Sequence, residues 1–322
     1  MRPRSLRVFD LHPSQSDFEA EVLAGLTKTR KELPCKYFYD AEGAHLFEAI
    51  CATDEYYVTR TEIAILQKDL PRIAEIVGPR AVVIEPGSGS GTKTRMLLEA
   101  LQQPSAYVLV DLSRAQLLAT AAETAGAFPD LEVLPVCADY TAPFPLPEPT
   151  STSGRRVLFY PGSTIGNFDR AEAEAFLHRM AERLGPGAVI VLGVDLKKDP
   201  NVLHAAYNDA AGITERFNKN LLARVARTLH VDIPLESFAH YAFYEPTEGR
   251  VEMHLVSRRD QTIRIGGREI AFATGESIWT ESSYKYTRQE VRATAERAGL
   301  QTLAELTDDR GYFLVTVLGV PG

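Results

Sequence analysis

The sequence predicts an α/β fold: a mostly parallel, helix-covered sheet interrupted by an inserted α+β lobe. Three observations lead there. Short, almost wholly apolar strands alternate with amphipathic helices between residues 81 and 194, and a glycine-rich turn, "EPGSGSGTKTR", follows the first of these strands. After Asp195 the alternation stops, and helical stretches are followed by a run of strand-like ones. Strands apolar on both faces belong to a parallel sheet covered on both sides, and its βαβ crossovers are right-handed.

In chain order, residues 16–28 show helical spacing, with Phe18, Val22, Leu23 and Leu26 on one side. The stretch "LPCKYFYDAEGAHLFEAICATDEYYVTRTE" is aromatic and punctuated, and reads as loops or short helices carrying Tyr37, Phe38, Tyr39, Tyr56 and Tyr57. Thr61 is expected to cap a helix that runs through Val77 and stops at Gly78. Strands are then predicted over 81–84, 107–110, 131–136, 157–160 and 188–194, with helices over 94–102, 114–125 and 170–184 between them. This is a Rossmann-like, doubly wound pattern. "LPEPTSTSGRR" reads as a polar loop within it. Beyond Asp195, helices are expected over 202–211 and 213–228, and strands over 240–244, 250–257, 262–265 and 269–273. A helix from Thr287 to Ala298 then leads to "QTLAEL" and "YFLVTVLG", which close the sheet as a hairpin and bring it to seven strands. There is no internal repeat.

Composition excludes several classes. The 322 residues are 45% hydrophobic and 24% charged, as in ordinary globular proteins. A net charge of −8 offers no basic field for phosphates, so no nucleic-acid partner is expected. No apolar run approaches the ~18 residues of a membrane helix. The basic start "MRPRSLRVFDLHPSQ" has no apolar core of a signal peptide. The three cysteines are scattered and the seven histidines dispersed, without metal-ligand spacing, so reduced thiols, no metal and a cytoplasmic location are expected.

The glycine turn admits three ligands. A P-loop reads G-x-x-x-x-G-K-[ST]; Gly87 to Thr94 supplies the lysine and threonine, but Thr92 stands at the second glycine. A dinucleotide fingerprint, G-x-G-x-x-G, fails at the same position. An acid (Glu85) ending the first strand, followed by G-x-G, suits S-adenosylmethionine, which carries no phosphate. Asp111 ends the next strand roughly 25 residues on, near the offset of ribose-binding acids, and Asp139 ends the third. Three strand-terminal acids at one sheet edge favour the third ligand.

"LPCKYFYD", "EYYVTRTE", "GSTIGNF", "NDAAGITERFNKN" and "TESSYKY" together resemble the histidine-specific Nα-methyltransferases of ergothioneine biosynthesis, from about Gly25 to the C-terminus. The resemblance implies a class I methyltransferase core at 62–197 and 286–322, and a substrate-binding domain at 1–61 and 198–285. It implies S-adenosyl-L-methionine as methyl donor and trimethylation of the α-amine of L-histidine to hercynine. Gly87 and Lys93 match cofactor-contact positions, Asp111 the ribose acid, and Asp139 with Tyr140 the adenine pair. Gly162 and Asn167 match positions near the substrate's amino-acid group, Tyr207 a carboxylate-binding tyrosine, Tyr39 a residue near the α-amine, and Tyr56 one beside the imidazole. Glu281 and Ser283 match the pair that hydrogen-bonds the imidazole, with Met253 an apolar wall. The sequence departs from the family at Pro86, often leucine, and at Tyr140, usually phenylalanine. Ser282 is expected to point away from the imidazole pair if its segment is extended. A monomer is expected.

Overall fold

The computed structural model describes residues 6–11, 16–87, 89, 91–142, 145–150 and 153–322. They fall into two compact units: Met1–Pro13, Val58–Lys197 and Tyr286–Gly322 form the first; Ser14–Tyr57 and Lys198–Lys285 form the second.

The chain opens with β1 (Phe9–Asp10), α1 (Ser16–Leu26), β2 (Lys31–Glu32), α2 (Ala41–Cys51) and α3 (Tyr57–Val77). Next come β3 (Val82–Pro86), α4 (Thr92–Ala100), β4 (Ala106–Asp111), α5 (Arg114–Ala127) and β5 (Glu132–Cys137). β6 (Arg156–Tyr160), α6 (Arg170–Leu184), β7 (Val189–Asp195), α7 (Pro200–Ala206) and α8 (Ile213–Leu229) follow. The chain closes with β8 (Phe238–Glu245), β9 (Arg250–Ser257), β10 (Gln261–Ile265), β11 (Arg268–Phe272), β12 (Ser277–Tyr284), α9 (Arg288–Arg297), β13 (Gln301–Thr307) and β14 (Phe313–Gly319).

The first unit is built on a sheet of order β1-β5-β4-β3-β6-β7-β14-β13. β1 and β3 to β7 run parallel, and β14 and β13 return antiparallel as the closing hairpin. This is the doubly wound, mostly parallel sheet expected, with one strand more than the expected seven. Phe9 and Asp10 pair with Val136 and Cys137 of β5, so residues 6–11 lie with the first unit rather than with the second, to which they were expected to belong. β3 and β7 are buried along their whole length, as strands covered on both faces must be. Strand order reverses between β3 and β6, the point at whose carboxyl side doubly wound sheets bind ligands.

α3 begins at Tyr57, four residues before the expected cap; Thr61 lies inside the helix and is buried. Tertiary packing of Tyr57 and Val58, both 2% exposed, outweighs the weak helix propensity of this aromatic and β-branched turn. α3 carries Glu62, 1% exposed, against β7. A Cβ at Gly193 would stand 2.1 Å from Glu62 Oε1 and 3.2 Å from the Gly162 nitrogen. Gly193→Ala is therefore expected to lower unfolding free energy by about 1–3 kcal/mol, as overpacking does. Urea unfolding reads this directly, and an unchanged midpoint would refute the close packing.

The second unit holds a four-stranded sheet of order β2-β12-β9-β8 and a separate β10–β11 hairpin. On the inner face Val251, Met253 and Leu255 of β9 are buried, and α8 packs there with Phe217, Leu221 and Val225. Asn218 fastens α8 to the sheet: its amide donates to the His254 carbonyl (3.0 Å) and hydrogen-bonds His240 Nδ1 (2.9 Å), while its carbonyl accepts from Thr280 Oγ1 (2.7 Å). Asn220 donates to Asp40 Oδ1 (2.9 Å), which also caps α2 through the Gly43 nitrogen. α7 stops at Ala206, short of the expected 211, because Asp209 accepts from the first amides of α8, Ile213 and Thr214.

Candidate active site

At the carboxyl edge of the first unit's sheet, Pro86 ends β3 and the Gly87 amide donates to the Val110 carbonyl (2.8 Å). Gly87, Gly89 and Gly91 then take φ of +72°, +48° and +69°, values open to glycine at little cost. The turn delivers the chain to α4, whose first amides carry a partial positive charge. Tyr140, after β5, flanks the turn: a Cβ on Gly87 would lie 3.7 Å from Tyr140 Cε1, and the Tyr140 hydroxyl, the extra atom at this position, lies 3.9 Å from the same point. Asp111 ends β4 half-buried; burial raises its carboxyl, partly offset by the Ser113 amide (2.8 Å) and that of Leu112. Asp139 is held by the amide (2.9 Å) and hydroxyl (2.5 Å) of Thr141. A turn with glycine at 87, 89 and 91, a carboxylate at the next strand end and an acid–aromatic pair at the third fit S-adenosylmethionine.

Glu85 does not join that edge. It is 2% exposed and accepts from Thr94 Oγ1 (2.6 Å) and the Tyr107 hydroxyl, and burial pushes its carboxyl up to about 7. It fastens α4 behind the glycine turn. Lys93 forms an ion pair with Glu62, whose carboxylate also accepts from the Gly162 amide at 2.9 and 3.0 Å. One buried carboxylate thus fixes both the α4 lysine and the loop after β6. In that loop Gly162 and Ser163 have φ of +78° and +58° and lead into a 3-10 turn, Thr164–Asn167. Asp169, with Glu172, caps α6, so Asn167 is not its cap; the Asn167 amide makes no side-chain hydrogen bond among the described residues.

The second unit gathers another set. Tyr39, after the 3-10 turn Cys35–Phe38, lies edge-on to Phe47 and Phe217, both at 5.8 Å. Phe47 reaches Tyr56 at 6.1 Å, and Tyr56 reaches Tyr207 at 6.3 Å. Tyr39 is half exposed; Tyr56 and Tyr207 are buried. Burial, reinforced by Tyr207, Cys51, Tyr39 and Glu281, raises the Tyr56 hydroxyl well above its ordinary value, so it remains a neutral donor. β12 supplies the rest. Its register against β9 shifts between Trp279 and Glu281. The bulge at Thr280, whose hydroxyl donates to the Met253 carbonyl (3.0 Å), moves the alternation by one residue. Upstream, Ile278 and Thr280 face inward; downstream, Glu281, Ser283 and Lys285 do. Ser282 and Tyr284 pair with Glu252 and Arg250 on the opposite face. Glu281 lies opposite the buried Met253, and burial pushes its carboxyl up to about 7 against the opposing pull of Lys285. Tyr207 donates to Ser283 Oγ (2.8 Å), and the Lys285 ammonium donates to both hydroxyls, at 2.9 and 2.8 Å.

With this geometry in view, the comparisons decide the family. The profile described as "Histidine-specific methyltransferase, SAM-dependent" matches residues 18–320. The chain belongs to this family. It is 40% identical over 301 residues to the histidine N-alpha-methyltransferase of Mycolicibacterium smegmatis, covering 91% of this chain and 92% of that protein. The counterpart in Mycobacterium tuberculosis is 38% identical over 300 residues, with the same coverage of each chain. Ergothioneine biosynthesis protein 1 of Neurospora crassa is 31% identical over 302 residues, which are 88% of this chain and 33% of that longer protein.

The family's motifs therefore distribute over two units. Gly87, Lys93, Asp111, Asp139, Tyr140, Gly162 and Asn167 lie in the first; Tyr39, Tyr56, Tyr207, Met253, Glu281 and Ser283 lie in the second. Gly162 and Asn167, matched to substrate positions, belong to the core with the cofactor set. Two residues that hold these sets, Glu62 and Lys285, escape a motif reading although both stand in quoted motifs, "EYYVTRTE" and "TESSYKY". The readable signal for Lys285 was its spacing, two and four residues after Ser283 and Glu281. Nothing local marks Glu62.

Proposed function

We propose that this chain transfers methyl groups from S-adenosyl-L-methionine to the α-amine of L-histidine, three in succession, giving hercynine. Glu281 and Ser283 carry the choice of acceptor: the Thr280 bulge sets a part-buried carboxylate and a buried hydroxyl on one strand face beside an apolar wall, Met253. Bound S-adenosylmethionine supplies a methyl already activated on a sulfonium, so the protein's task is alignment and exclusion of water. Asp111 accepts from the ribose hydroxyls, Asp139 and Tyr140 hold the adenine, Gly87 lets the backbone come close, and Lys93, fixed by Glu62, meets the donor's carboxylate. Asn167 and Tyr207 hold the histidine carboxylate, with Gly162 near the amino-acid group. Tyr56 flanks the imidazole, Glu281 accepts from its N–H and Ser283 donates to its other nitrogen.

The α-amine attacks only when neutral. We assign the proton's removal to Tyr39 acting through water: its hydroxyl, half exposed, orients a water that takes the ammonium proton and passes it to solvent. Tyr39→Phe is expected to lower kcat about 100-fold, the scale of general-base catalysis, and to move the pH–rate limb upward, with KM for the donor unchanged. An unaltered profile would remove Tyr39 from this role. The reading includes a monomeric cytoplasmic enzyme. Competition among free amino acids tests the acceptor: L-histidine is expected to be consumed first, and preferential methylation of tryptophan or another amino acid would overturn the assignment.

A further inference from the structure

Lys285 is 1% exposed, and a buried ammonium is costly unless its N–H groups find acceptors. Among its acceptors are the hydroxyls of Tyr207 and Ser283, at 2.9 and 2.8 Å. An ammonium can only donate. Each hydroxyl therefore gives a lone pair to Lys285 and keeps its own proton to donate. In the structure the Tyr207 proton rests on Ser283 Oγ; Ser283, accepting from both, retains only its proton to offer outward. Glu281, on the same inward face two residues before Ser283, is the acceptor of the set.

We propose that Lys285 is a positioning and specificity residue for the acceptor: it commits Ser283 and Tyr207 to act as donors, so the site takes a neutral imidazole presenting an unprotonated nitrogen to Ser283 and an N–H to Glu281. An imidazolium would set an N–H against the Ser283 proton with the Lys285 charge behind it. When the amino acid's carboxylate is present, the Tyr207 proton turns from Ser283 to it, and Lys285 supplies positive charge one hydroxyl away. The inference rests on the histidine reading given above. The ionisable groups facing this set include Lys285, directly after β12, which acts on Glu281; Tyr56, which interacts with Tyr207, Glu281, Tyr39 and Cys51 at the end of α2; and His240, whose Nε2 hydrogen-bonds the Tyr207 carbonyl at 2.9 Å. Among them Lys285 is the cation, and it holds the Glu281 carboxyl down against burial.

The test is steady-state kinetics of the full chain with S-adenosylmethionine and L-histidine across pH, for wild type, Lys285→Met, Glu281→Ala, Glu281→Gln and the double variant Lys285→Met/Glu281→Gln. Lys285→Met is expected to raise KM for L-histidine about 10-fold or more, the scale of a hydrogen-bond network's loss. KM for the donor should stay within about 2-fold, because the cofactor residues stand in the other unit. The acid limb of kcat/KM moves to higher pH in Lys285→Met and does not move when Lys285→Met is added to Glu281→Gln. If Lys285→Met does not fold, Lys285→Gln, which keeps a polar group at that depth but can accept as well as donate, is read by the same criteria. Unchanged histidine KM and an unmoved limb in a lysine variant, with Glu281→Ala impaired, would overturn this inference and leave the histidine reading standing. Equal loss in both substrates' KM values would reduce Lys285 to a packing role and also overturn it. An unimpaired Glu281→Ala would overturn both.

Discussion

Replacing Glu281 with alanine is expected to lower kcat/KM for L-histidine about 5- to 150-fold, corresponding to about 1–3 kcal/mol for an imidazole N–H left without its acceptor. The donor's KM stays unchanged, and apolar amino acids of similar size gain relative to histidine, because they have no N–H to leave unpaired. Kinetics with histidine, phenylalanine and tryptophan read all three effects; an unaltered kcat/KM for histidine would remove Glu281 from the site. The same residue gives a pH signature in stability. Its folded-state pKa is raised from 4.5 to about 7, so the folded state favours the protonated carboxyl. The stability associated with that proton is present below the unfolded value and is lost as pH rises through the window from 4.5 to about 7. Glu281→Gln, which cannot ionise, is accordingly expected to raise Tm relative to wild type more at pH 8 than at pH 5.

The second large effect is expected at Asp111. A carboxylate accepting from two ribose hydroxyls makes charge-assisted hydrogen bonds, and Asp111→Ala is expected to cost about 3 kcal/mol, roughly 100-fold in donor affinity. Histidine KM should change little. Asp111→Asn, which still accepts from the Ser113 amide that Asp111 Oδ1 holds at 2.8 Å, should lose less. Calorimetric titration with S-adenosylhomocysteine measures the affinity without turnover, and equal affinity in wild type and Asp111→Ala would place the ribose elsewhere.

The fold was legible where burial and chain pattern agree. β3 to β7 are apolar because both faces are covered, and each was predicted to within a few residues of its observed span. The antiparallel closing hairpin followed from two strand patterns after α9. What was not legible depends on contacts distant in sequence. β1 is two residues long and exists by pairing with Val136 and Cys137. The early start of α3 reflects the burial of Tyr57 and Val58 rather than their propensity. At the proposed sites, motif spacing located the residues but not their partners. Glu85, one of the three strand-terminal acids, turns its side chain to Thr94 and Tyr107. The β12 bulge depends on a Thr280 hydroxyl bonded to Asn218, 62 residues away, and no window of local sequence contains both. The same holds for Glu62 and Gly162, 100 residues apart.

The central claim is that the chain methylates the α-amine of histidine with S-adenosylmethionine. Mass spectrometry of L-histidine incubated with the protein and methyl-deuterated S-adenosylmethionine tests it most directly. The account predicts products carrying one, two and finally three labelled methyl groups on the α-nitrogen, with fragmentation leaving the imidazole unlabelled. Label on the ring, or no labelled histidine at all while the donor is bound, would contradict it.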